Sequence, residues 1–412
     1  MKTNQLAADT AIATPPAATA NTPALLRAIA DLLAGQASAA LPGFGVGTGK
    51  GGSVLFFCHY AAYTGEACYY DLALHHLEQA LAGLSPRTYQ AHLGSNYYQE
   101  LAEIGRLLCY LSAQGHLDWD NTPLLNQIDD LLEARLQHFL VRENLEIIDG
   151  ALHIGTYFLR RAPQSARARQ QLDGLLDAIH RLRQGTDETG YCWPCNIIAE
   201  TRVYTGISHG SAMVMSFLAA VHEAGIRPAE CEVLLFYATR FLLGTQQDPD
   251  QLISTFPLWL GRGEPVPNLC LLYGDLGPAY AIARAANVLD HAGYRAEAVR
   301  IGRRTTQRVA LPETFLHDAS VWYGAAGTHL LYDALHRQTG EADFATAAAY
   351  WLAHLPRRAD PAAPHLGFRP HFFADQPAAS LCFNFGLVGI GLTLLQALSG
   401  GQHRLDEFIW LA

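Results

Sequence analysis

Along most of the chain the apolar positions fall three and four apart, the period of a helix with one buried face. Clear cases begin at Asp71 (DLALHHLEQALAGL), Pro123 (PLLNQIDDLLEARLQHFL), Ala166, Ala229 and Asp343. Between these stretches lies a second, more uniformly apolar set, each member opened by a glycine turn: SHGSAMVMSFLAAV, YGDLGPAYAIARAA, YGAAGTHLLYDAL and FGLVGIGLTLLQAL, with looser versions earlier in the chain. Turns marked at residues 51, 100, 150, 210, 274, 324 and 386 give seven units spaced 49 to 64 residues apart. Alternating Val/Ile runs are almost absent, so a sheet is not expected. Two helices per unit, repeated seven times, predict an all-α array, either an open solenoid or a closed double ring. The glycine-led helices suit an inner layer crowded on all sides, and the polar helices suit an outer, solvated one. Function is then expected just before the glycines, whose turns collect at one end of such an array.

Composition narrows the partners. The 412 residues are 50% hydrophobic and 16% charged, enough for a large core, with a formal net charge of -10 and a pI near 6.0. No Lys- or Arg-rich block is present, which argues against a nucleic-acid partner. The Ala-, Thr- and Pro-rich start reads as a disordered tail over residues 1–22, leaving 23–412 as a single domain. It lacks the apolar stretch of a signal peptide, and no run reaches the length of a membrane helix. A cytoplasmic location is expected, with peripheral membrane association as the alternative. Eight cysteines in a chain of this length do not make a disulfide scaffold. GVGTGKGGS departs from a phosphate-binding loop because Gly51 follows the lysine.

The ordered motifs GISHGSAM (206–213), LLYGDLG (271–277), VWYGAAG (321–327) and FGLVGIG (385–391) resemble those of the lanthionine synthetase C family. The resemblance spans nearly the whole chain after residue 25. It implies a closed (α/α) toroid, a double-layer barrel of about seven helical hairpins. The activity it implies is addition of a peptide cysteine thiol to dehydroalanine or dehydrobutyrine, closing a thioether ring. Its partners would be a precursor peptide and a dehydratase. Zinc would activate the thiol, and a histidine matching His209 would handle a proton. The family's zinc ligands precede the turn glycines, at positions that here carry Leu272, Trp322 and Tyr323. Leucine and tryptophan offer no ligand atom and neutral tyrosine is a poor one, so the resemblance implies a member without the usual zinc ligands. The turn residues Tyr273, Asp275, Trp322 and Tyr323 are expected to contact substrate.

A separate constellation is YCWPCN, a C-x-x-C whose second cysteine stands fourteen residues before His209. Its setting is unlike that of a redox dithiol. Cys192, Cys195 and His209 could instead supply two sulfurs and a nitrogen to a relocated zinc site. Glu146 and Asp149 lie near the place where the family carries an acidic residue, without a fixed register. His153 reads as structural. Two functions therefore stand side by side: a thioether-forming enzyme working without the usual zinc, and a non-catalytic scaffold that binds a peptide or a partner enzyme.

Overall fold

The computed structural model describes residues 22–36, 38–196, 200–248, 252–261 and 266–411. The tail expected over 1–22 lies outside them except for Thr22, which opens the first helix, α1 (Thr22–Ala34). The inner helices are α2 (Lys50–Thr64), α4 (Tyr97–Ala113), α6 (Ala151–Arg161), α8 (Ser211–Glu223), α10 (Leu276–Val288), α13 (Ala325–Thr339) and α16 (Leu387–Leu398). Each of these packs on the next, and α16 packs back on α2, so the seven close into a ring. Around it run α3 (Cys68–Ala82), α5 (Thr122–Val141), α7 (Ala166–Leu182), α9 (Pro228–Gly244), α11 (Ala292–Thr305) and α14 (Ala342–His354), each against the inner helix that precedes it. The all-α toroid is thus the observed architecture. Short helices α12 (Leu311–Thr314) and α15 (Pro377–Leu381) lie in connections, and a two-stranded antiparallel hairpin, β1 (Gln184–Thr186) with β2 (Gly190–Cys192), follows α7.

The two layers follow from composition. In α8 every residue from Ser211 to Val221 is buried, and in α16 every residue from Leu387 to Gln396. Outer α7 buries only Ala168, Gln171, Leu172, Leu175, Leu176, Ala178 and Ile179, one stripe at helical spacing. The glycines allow inner helices to start in confined space: a Cβ on Gly210 would collide with the carbonyl oxygen of Gly206, and one on Gly327 with that of Val321.

The seventh outer partner comes from the other end of the chain. α1 packs on α16, burying Leu26, Ile29, Ala30 and Leu33. Ile29 is fully buried in this seam. Ile29→Val is expected to cost about 0.5–1.5 kcal/mol in urea unfolding, the usual loss for one core methylene.

Candidate metal centre

The inner-helix entries meet at one end of the ring, and three segments bring donors together there. The first is the turn before α6. Asn144 caps it by accepting the Glu146 N–H (2.9 Å), and the Glu146 carboxylate accepts the Ile148 N–H at 3.2 Å through Oε2. His153 steadies the same turn, its two ring nitrogens facing the carbonyls of Ile147 (2.8 Å) and Gln99 (3.1 Å). Burial pushes that imidazole down to about 4, so it is neutral and structural, as its sequence position suggests.

The second segment follows β2. Trp193 is buried and donates its indole N–H to the Ile179 carbonyl (2.8 Å). Cys195 and Arg202 exchange backbone hydrogen bonds of 2.7 and 3.1 Å in an antiparallel bridge, which fixes the cysteine's backbone. The third segment is the loop before α8. Ser208 donates its N–H to the Leu272 carbonyl (2.9 Å), and Ser211 donates to that of Tyr204 (3.1 Å). Between them His209 adopts φ 63°, a left-handed conformation costly for a residue with a side chain. That turn aims the imidazole at the other two segments.

His209 Nδ1 lies 2.7 Å from Glu146 Oε1. One donor atom each from Glu146, Cys195 and His209 fall within 4.8 Å of one another. Burial pushes the His209 imidazole down, but hydrogen bonds to Cys195 and Glu146, with their charges, outweigh it and hold the pKa at about 9. The adjoining cleft measures about 20 Å³, room for an ion or a single water. A carboxylate, a thiol and an imidazole in a small buried space match the ligand types and number of a zinc site with one open position. The residues therefore fit such a metal.

This corrects the expectation of a cyclase scaffold whose zinc ligands are simply lost. Leu272 is fully buried, and Trp322 packs its ring against Phe385 and Trp410 at 5.3 and 5.7 Å. Those positions do lack donors, yet a donor set exists in the neighbouring repeats, with the loop of His209 bonded to Leu272 itself. The sequence-based trio is corrected as well. Cys195 and His209 come together, but Cys192 belongs to β2 and is not in the cluster; burial pushes its thiol up to about 11. Glu146 stands in its place. The signal for it was the acidic residue expected before the α6 turn, which lacked a register.

The expected contact residues divide. Tyr273 faces the centre, its ring 6.2 Å from that of His209, and Tyr323 lies 6.4 Å beyond it. Asp275 instead turns inward. It is 1% exposed and accepts hydrogen bonds from the N–H groups of Thr255 and Phe256 (both 3.0 Å) and from Arg308 (2.6 Å). It braces the loop and presents nothing to a substrate. Asp149 is not in the donor cluster either; its carbonyl accepts from Asn144 at 2.8 Å.

A closed double ring of helices with a Glu–Cys–His donor set at its mouth defines the class: an (α/α) toroid with a candidate metal centre. The lanthionine synthetase C-like protein model matches residues 43–409, and the chain belongs to that family. Among solved structures it is similar to one titled "Nisin cyclase", with a TM-score of 0.71 and 14% identity, covering 95% of this chain and 97% of that one. At that identity the likeness shows the fold alone. No curated protein matches the sequence.

Proposed function

We propose that this protein forms thioether rings in peptides, adding a cysteine thiol to dehydroalanine or dehydrobutyrine. The observation that carries the proposal is the Glu146–Cys195–His209 cluster at the helix-entry end of a lanthionine synthetase C-like ring. Glu146, Cys195 and His209 would hold a zinc ion, whose contribution when bound is to make a substrate thiol acidic enough to react as thiolate. Glu146 fixes the ring orientation of His209, and the left-handed turn at His209 keeps the imidazole out of the helix and in the site.

In the addition the thiolate lone pair forms the S–C bond at the β-carbon, and the C=C pair moves to the α-carbon. A proton returned there completes a redox-neutral step in which the thiol proton lost is replaced. We assign its return to Tyr273, half-buried with its ring 6.2 Å from that of His209; burial raises its pKa to about 12, so it stays protonated at neutral pH. The ring of Tyr204 also lies beside His209, at 5.4 Å, and is backed by that of Trp259 at 5.6 Å.

The test uses a dehydrated precursor peptide with free cysteines. Cyclisation leaves mass unchanged, so remaining thiols are counted with an alkylating reagent. Thiol loss well above the uncatalysed rate is expected. Binding with no acceleration would leave only a peptide-binding role.

A further inference from the structure

Aromatic rings lead away from the donor cluster in an unbroken line. From His209 the line passes to Tyr273 and Tyr323, and Tyr323 stands 4.3 Å from Phe372 and 6.2 Å from Phe385, which is itself 5.2 Å from Phe373. Its outer end is open: Phe372 is 44% and Phe373 38% exposed. Among the described residues just three phenylalanines are exposed, and the third, Phe315, belongs to the same rim. Its ring lies 4.8 Å from His317, which stacks on His371 at 4.3 Å, beside Phe372.

The rim is held in place and does not simply drape over the surface. The His371 N–H donates to the buried Asp318 carboxylate at 2.7 Å. Phe373 takes φ 59°, a left-handed conformation that is costly for a bulky residue. A strained backbone that presents an apolar ring to water is a cost to folding, and such costs persist where a site needs them. The tryptophan and tyrosine at the family's ligand positions, Trp322 and Tyr323, join this line: Tyr323 is its middle member and Trp322 backs Phe385.

We propose that the Tyr273–Tyr323–Phe372–Phe373 line is a docking track for a peptide substrate, recognising apolar or aromatic side chains within about five residues of the reacting cysteine or dehydroamino acid. This rests on the thioether-forming reading for where the peptide reacts, but not for whether it binds. Each ring-to-ring step is one to two residues of extended chain, at about 3.3–3.6 Å per residue. The line is continuous with the site, so one strand can occupy both. A lipid surface fits less well, because a protein of formal net charge -10 is repelled by anionic bilayers.

The test is fluorescence anisotropy on the full chain with labelled synthetic hexapeptides holding one cysteine beside either Leu-Phe or Ser-Ser. The Leu-Phe peptide is expected to bind at least about tenfold more tightly, the scale of one buried apolar side chain. Phe372→Ser and Phe373→Ser should each erode that preference, and Phe372→Leu should keep most of it. Both positions are exposed, so melting curves should be unchanged. Cys195→Ser should retain the preference, which separates failure of the track from failure of the thioether reading. Equal affinity of the wild type for the two peptides overturns the proposal, as does a preference that survives both serine substitutions. Binding to phosphatidylcholine vesicles that the same substitutions abolish, without peptide preference, also overturns it and makes the rim a membrane contact.

Discussion

Purified protein is expected to carry about one zinc per chain, and Cys195→Ser or His209→Ala should each weaken zinc binding by more than about 100-fold. Loss of an outer partner alone usually costs 10–100-fold, and these two side chains would touch the metal itself. Glu146→Gln should weaken it too, because it replaces an anionic ligand by a neutral amide and leaves a weaker acceptor 2.7 Å from His209 Nδ1. Cys192→Ser is the control: its sulfur belongs to the buried β2 strand outside the donor cluster, so zinc content should hold. Elemental analysis of folded protein decides the matter, and thiol consumption should fall with zinc across the series. Full occupancy in Cys195→Ser, or wild-type protein that takes up no zinc, would remove the metal centre.

The second large effect is on stability. Arg308→Met is expected to destabilise the protein by about 3–5 kcal/mol, since it strands the Asp275 carboxylate in the interior. The pair is 2.6 Å apart with side chains 5% and 1% exposed, and Arg308 also donates to the carbonyls of Glu313 (3.0 Å) and Asn268 (2.9 Å). Asp275→Asn combined with Arg308→Met removes the buried charge along with its partner and should lose less than Arg308→Met alone. Urea unfolding of the single and double variants measures the difference. Because Asp275 also ties down Thr255 and Phe256, the same loss should loosen the loop carrying Tyr273.

The fold was legible in the sequence because it is written locally. All inner helices but α4, which is capped by Asn96, announce themselves by a glycine turn and an apolar run, and the marked positions fall within three residues of the observed helix starts. The pairing of α1 with α16 as the seventh outer helix was not legible, since nothing in its own residues says where it packs. The site divided along the same line. His209 was visible from its motif and Cys195 from the C-x-x-C. Glu146 was not assigned, because its meeting with His209 spans 63 residues and depends on how two neighbouring units align. Asp275 misled for a related reason: its place at a turn suggests the open mouth, whereas Arg308, 33 residues later, draws it into the interior.

The α1–α16 seam also sets an order of events during synthesis. Of the seven inner helices α16 is made last, and it packs on both α1 and α2, so the circle stays open until α16 has emerged. Until then α1 and the flank of α2 that α16 will cover show their apolar sides to the cell, the kind of exposure that invites chaperones and aggregation. A nascent chain stalled short of residue 387 would therefore be an open arc with sticky ends, and closure would come as one late event rather than hairpin by hairpin.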